Sequence, residues 1–302
     1  MFAKITFYVF NVKVSPIVPV IVAFSVACIT TSAGVSGAFL LLPFQISILG
    51  FVSPAVNPTN LLYNIVAIPG GLYKYIREKR MLWPLFIAIT ASTLLGVFIG
   101  AWIRIKYLPD PALFKIFVGL VLLHLGYRIL QPIILTKTDN KTDKAKNKKH
   151  DSKTITAVQV SKFSIREIKY TFQNKTFNVS AKTVFILSFI IGIVGSIFGI
   201  GGGAIIASFL VSVFNLPVYT IAGAALAGTF IASVLGILTF KTMSVSPNWM
   251  LGLLFGLGGL MGTYVGASIQ KYLPEKIIKF ILGSLVILLA FKYMIESFML
   301  LI

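Results

Sequence analysis

The sequence predicts an all-α polytopic membrane protein with about eight crossings, and up to ten hydrophobic segments, arranged as two related repeats with glycine-broken helices. Three observations carry that prediction. The first is composition: 57% of the 302 residues are apolar, 12% are charged, and mean hydropathy is +0.93, far from soluble averages. The second is a set of apolar stretches at about 15–50, 55–73, 81–103, 112–135, 183–214, 218–240, 247–270 and 277–302. A crossing helix needs about 20 such residues. The third is a pattern that occurs twice, 165 residues apart: GVSGAFLLLPF at 34–44 and GIGGGAIIASF at 199–209. The same offset places Gly34 on Gly199, Gly37 on Gly202, Leu61 on Leu226, and Tyr107-Leu108-Pro109 on Tyr272-Leu273-Pro274.

The chain divides into a first transmembrane repeat (1–135), a basic loop (136–182) and a second repeat (183–302). The first and fifth stretches are too long for one crossing and contain the glycine motifs. Each is therefore a broken helix, a crossing with a re-entrant hairpin, or two short crossings. Lys4 and Lys13 precede the first stretch without a small-residue cleavage site, which reads as a retained first span. The lone cysteine, Cys28, reads as packing and says nothing of redox compartment.

The formal charge of +19 would fit a nucleic-acid binder if it formed a patch, but it sits in the connections. Lys74, Arg77, Lys79 and Arg80 cluster after the second stretch, and eleven basic residues face four acids over 136–180. The positive-inside rule makes both segments cytoplasmic. Eight crossings would also place the N-terminus inside, with Arg104, Lys106, Lys115, Lys271, Lys276 and Lys279 outside; five transits per half would invert the second repeat. Charge counting scores the two schemes almost equally. Within the loop, 136–153 is nearly all polar and reads as a disordered linker. Residues 154–180 alternate apolar side chains around Gln173-Asn174-Lys175, the pattern of a small hairpin. Asn140, Asn174 and Asn178 begin glycosylation triplets that matter only outside the cell.

Glycine runs inside membrane-length sequence expose backbone that lipid cannot satisfy, so they must line protein. A helix restarting after such a run presents free amides and a positive dipole end, the means by which helix N-termini hold oxyanions. Paired interruptions in two halves point to the substrate site of a secondary transporter. The candidate substrate-binding residues are Gly34, Ser36, Gly37, Asn57, Thr59, Asn60 and Asn64 in the first half, with Gly199, Gly201, Gly202, Gly203 and Thr229 in the second. The asparagines equally serve as helix N-caps. Gln45 is a weaker candidate. The second half has Ala224 and Ala225 where the first has Thr59 and Asn60, so the site is chemically unequal. Gly96, Gly100, Gly262 and Gly266 read instead as close-packing small residues.

No Asp or Glu lies deep in an apolar stretch, which argues against a carboxylate proton or cation relay. His124 is the titratable group nearest a span centre and reads first as packing, second as a proton carrier; Arg128 is placed to snorkel. No metal-ligand spacing, nucleotide cradle or catalytic pair is evident, so no enzyme, cofactor or metal is expected.

GIGGG followed by small apolar residues, its degenerate copy GVSGAFLLLPF, Pro-Thr-Asn-Leu at 58–61 and the Leu-Pro after each third span resemble the TauE/SafE (sulfite exporter, TSUP) family. The resemblance covers both halves but not 136–180. It implies two related helical bundles and transport of small sulfur-containing anions such as sulfite, thiosulfate or organosulfonates. Ser208, where the family often has proline, and the long basic loop depart from it. The expected partners are a small anionic substrate and the lipid bilayer, not nucleic acid; a homo-oligomer is compatible with this reading. A multi-pass protein of the cell membrane is expected, with 136–182 cytoplasmic. A non-transporting scaffold or sensor acting through 154–180 is the alternative.

Overall fold

A computed structural model describes residues 7–9, 12–135, 158–164, 167–172, 175–214, 216–270, 272 and 275–301. The linker at 136–153, Asn140, Asn174 and Leu273-Pro274 lie outside the described residues.

Each half contains five helices in the same order. The first half has α1 (Ile17–Ser32), α2 (Ala38–Ser47), α3 (Val56–Arg77), α4 (Trp83–Lys106) and α5 (Pro111–Leu135). The second has α6 (Ala181–Phe198), α7 (Gly203–Phe214), α8 (Val218–Thr242), α9 (Trp249–Ile269) and α10 (Glu275–Leu301). Among the described residues, α4, α6, α8, α9 and the Pro111–Arg128 part of α5 are long and apolar enough to cross a membrane. The ten helices described, the short α2 and α7 among them, realise the polytopic all-α architecture.

The duplication extends to single hydrogen bonds. Gly34 N donates to Thr31 O and Val35 N to Thr30 O; 165 residues on, Gly199 N donates to Ser196 O and Ile200 N to Gly195 O. These paired bonds form a Schellman stop, which requires a left-handed residue, and Gly34 and Gly199 have φ of 78° and 71°. The ends of α3 and α8 repeat the device with Lys79 at φ 56° and Ser244 at φ 61°. Their partners also match: Lys79 N to Ile76 O and Arg80 N to Tyr75 O, against Ser244 N to Lys241 O and Val245 N to Phe240 O.

Helix directions follow from which glycines meet which backbones. Along α9, Gly258, Gly262 and Gly266 face Val20, Phe24 and Cys28 of α1, so the two run parallel. Gly96 and Gly100 of α4 face Phe189 and Ile193 of α6 in the same sense. Gly96, Gly100, Gly262 and Gly266 are thus close-packing points, as the sequence predicted. They match one residue off the 165 offset, because 243–248 is one residue longer than 78–82. Likewise α3 runs parallel to α9, through Leu62 at Gly252 and Val66 at Gly256, and α4 to α8, through Ile89 at Gly228 and Val97 at Gly236. The self-related pairs run the other way. Leu61 meets Gly236 and Tyr75 meets Gly223 across α3 and α8, while Gly119 meets Ala290 and Gly126 meets Gly283 across α5 and α10. α1, α3, α4 and α5 are therefore each opposed in direction to their counterparts α6, α8, α9 and α10. The repeat is inverted, which settles the orientation that charge left open. Since α1 and α3 point the same way, α2 and the segment after it return the chain, so each half makes an odd number of transits. The first helix of each half packs on the fourth helix of the other, interlocking the halves.

Outside the bundle, β1 (Phe7–Val9) and β2 (Val12–Val14) form an antiparallel ribbon that the sequence did not foretell. In the loop, β3 (Gln159–Phe163), β4 (Glu167–Phe172) and β5 (Lys175–Ser180) form an antiparallel meander. The expected hairpin is its second turn, where Phe172 pairs with Lys175; β3 is the addition. Ile168, Tyr170 and Phe172 alternate inward and seat the sheet on the start of α8. There Phe172 stacks on Tyr219 at 5.5 Å and the Tyr170 and Thr220 hydroxyls are 3.0 Å apart.

Candidate substrate site at the paired helix breaks

The two breaks meet across the α3–α8 crossing, and the side chains that join them come from one stripe of α3. Asn57, Asn60 and Asn64 recur at helical spacing on one face and all are fully buried. Asn57 Nδ2 donates to Ser196 O at 3.3 Å and Ile197 O at 2.7 Å. Asn60 Nδ2 donates to Gly199 O and to Ala38 O, both at 2.9 Å. Asn64 Nδ2 donates to Ile200 O at 3.2 Å and Ser233 Oγ at 3.1 Å, while its Oδ1 accepts from Ser36 Oγ at 2.5 Å. The carbonyls stranded at the end of α6 are thereby satisfied without water, as buried backbone requires. Asn64, near the middle of α3, touches the first break through Ser36 and the second through Ile200.

With the carbonyls occupied, the amides remain. Those of Ser36 and Gly37, and of Gly201, Gly202 and Gly203, meet no backbone acceptor among the described residues. Each group lies at the start of a new helix, α2 or α7, in opposed halves of the bundle. Gly201 and Gly202 have φ of 73° and 78°, a conformation costly for any side chain. A Cβ on Gly203 would stand 1.7 Å from Thr229 Oγ1 and 2.6 Å from Ala225 O. Thr229 thus packs directly under the second break, its hydroxyl donating to Ala225 O at 2.8 Å.

Two expected residues lie apart from this centre. Thr59 Oγ1 donates to Ala55 O and accepts from Asn248 N at 2.8 Å, tying the start of α3 to that of α9. Gly34 packs on Val218 and Ala222 at the far side of the first break. Gln45 reaches Asn60 Oδ1 at 3.1 Å, behind the asparagine stripe. His124 is exposed on α5, stacked 5.8 Å from Phe209, with the Arg128 guanidinium over the same ring.

The structure adds residues that the sequence did not single out. Tyr63 is buried against Gly37, and its hydroxyl has no hydrogen-bond partner. Ser233 completes the contacts of Asn64. Arg104, counted only among the basic residues left outside in the eight-crossing scheme, is fully buried and donates to Asn57 Oδ1 at 3.2 Å. Only its position in the last turn before Tyr107-Leu108-Pro109 distinguished it in sequence.

Comparison with known proteins agrees with this architecture. The chain is 24% identical over 118 residues to the probable membrane transporter protein YdhB of Bacillus subtilis, covering 39% of this chain and 47% of that protein. It is 25% identical over 122 residues to the probable membrane transporter protein YunE of the same organism, covering 40% and 44%. It is 32% identical over 118 residues to the probable membrane transporter protein MJ0441 of Methanocaldococcus jannaschii, covering 37% and 43%. The chain thus spans less than half the length of these relatives. No solved structure matches it significantly. The family model described as "Sulfite exporter TauE/SafE" matches residues 20–293, through both halves and all ten helices, and on that extent the chain belongs to the TauE/SafE family.

Proposed function

We propose that this protein is a membrane permease for small anions, sulfur oxyanions or organosulfonates, working by alternating access around the two helix breaks. The observation that carries the reading is the meeting of two equivalent Schellman-terminated helices at Asn64, with amides on both sides that meet no backbone acceptor among the described residues. Backbone amides at helix starts bind anions without a buried cation at the same point, and α1–α4 and α6–α9 contain no Asp or Glu to repel one. Inverted repeats supply two related conformations, each opening the shared centre to one side by rocking one half against the other. The basic residues in the sequence at 74–80 and 136–182 support a cytoplasmic position for the end of the bundle after α3, by the positive-inside rule. Family membership supports the substrate class, and the names of the relatives support transport.

The test is flux of labelled sulfite, thiosulfate or a sulfonate into liposomes containing the purified protein. Gly202→Val, forced into a left-handed conformation at the second break, should abolish flux while the protein still elutes as a folded species. Undiminished flux in that variant would sink the site.

A further inference from the structure

Two arginines are buried in the bundle near opposite ends, and among the described residues only one has a carboxylate beside it. Arg80, just past α3, lies 3.0 Å from Glu78 Oε2 and is held by Ala267 O and Gln270 Oε1. Tyr75 and Tyr219 cover its guanidinium at 4.6 Å and 3.4 Å. Arg104 occupies the last turn of α4. Allowing for the one-residue shift between α4 and α9, its counterpart is Gln270, the residue that Arg80 holds. The two guanidiniums therefore approach repeat-related places from different elements.

Arg104 is fully buried and has no ion pair among the described residues. Its Nε donates to Asn57, its Nη1 donates to Leu108 O, and its plane lies 3.7 Å from the centroid of Phe114. Its Nη2 has no partner. An arginine at a helix end ordinarily extends its head to water; a guanidinium sealed away without an anion leaves a buried charge uncompensated. The unpartnered Nη2, beside Nη1, is one prong of the guanidinium fork that fits the oxygens of an oxyanion.

We propose that Arg104 forms a second anion subsite, about 10 Å along α3 from Asn64 at 1.5 Å per residue, which takes a small oxyanion such as sulfite or a sulfonate. This rests on the anion-permease reading above. Asn57 links the subsite to the helix break: its Oδ1 accepts from Arg104 while its Nδ2 holds the last carbonyls of α6. An anion drawing the guanidinium toward itself loosens that clasp, so occupancy of the subsite bears on the break.

The experiment is thermal unfolding of the purified full chain in lipid-free detergent, titrated with sulfite or methanesulfonate at constant ionic strength, for wild type, Arg104→Gln and Arg104→Lys. Wild type is stabilised by the anion, as mass action requires. Arg104→Gln should weaken the apparent affinity at least tenfold while being no less stable than wild type in anion-free buffer, since it removes an unpaired charge. Arg104→Lys, which keeps the charge and loses the fork, should fall between. Unchanged affinity in Arg104→Gln overturns the subsite, and does so without touching the permease reading if Gly202→Val still abolishes flux. Stabilisation that appears only with added phosphatidylglycerol makes the ligand a headgroup and overturns it too. Wild type that neither binds nor moves any of these anions ends both readings. Should neither variant fold, anomalous scattering from selenate in wild-type crystals decides: selenium beside Nη2 supports the subsite, and selenium confined to the breaks overturns it.

Discussion

Asn64 is the residue on which the two halves converge, and its substitution separates holding the breaks from binding at them. Asn64→Ala removes a hydrogen bond to each of Ser36, Ile200 and Ser233. A stranded buried carbonyl costs about 1–3 kcal/mol in soluble proteins, and interhelical hydrogen bonds within membranes average about 0.6 kcal/mol. A loss of about 1–3 kcal/mol is therefore expected, seen as a lowered midpoint of thermal unfolding in detergent. Asn64→Asp keeps the shape and the acceptor, but it loses the donor to Ile200 and sets a negative charge where the anion is proposed to lie. Flux in the Asp variant should fall further than in the Ala variant even where stability falls less. The reverse order would make Asn64 a structural clasp alone. The asparagines were visible in the sequence as residues beside a motif, but N-cap and ligand readings were equal there. Their contacts come largely from the other half of the chain: the second-half carbonyls they bind lie 136 to 140 residues away, and no local pattern encodes that pairing.

At the scale of elements, the loop sheet is engaged with the bundle rather than free for a partner. Tyr170 and Phe172 spend the apolar side of β4 on Thr220 and Tyr219, and Tyr219 in turn covers Arg80. Val158 N donates to Lys79 O at 3.4 Å, joining the approach to the sheet to the turn after α3. The apolar side of β4 is thus already used. Deleting 140–178 should leave substrate flux in liposomes measurable, changing its rate or the yield of protein; complete loss of flux from a folded deletion variant would favour the scaffold reading. Alternation of apolar residues made this element legible as a hairpin because the period of two survives in β4. It hid β3, whose short QVSKF run carries too little apolar content to stand out. The ten helices were nearly all legible, since lipid-length apolar runs and glycine stops are local signals. The short α2 and α7 were visible only as the excess length of the first and fifth stretches.

At the scale of the whole molecule, the orientation of the repeats was beyond the sequence, because inverting the second half merely exchanges which small basic clusters face out. Packing determines it: α1 rides parallel to α9, α6 parallel to α4, and α3 opposes α8. Alternating access as proposed above draws on that inversion, since halves related by an axis in the membrane plane can exchange conformations and so open equivalently toward the two sides of the membrane. The arrangement is open to a direct test at repeat-equivalent positions. Arg77 and Thr242 are both exposed at the ends of α3 and α8, 165 residues apart, two residues before the left-handed caps Lys79 and Ser244. In a Cys28→Ser background, Arg77→Cys and Thr242→Cys each supply one thiol for a membrane-impermeant maleimide. Inverted halves require the two thiols to react from opposite faces of intact cells or sealed vesicles. Arg77→Cys should react from the cytoplasmic face, where the basic clusters lie, and Thr242→Cys from outside. Labelling of both from one face would mean parallel repeats, a first span that does not return, and helix breaks that do not share a centre; the α3–α8 crossing and the proposed site at Asn64 would fall together.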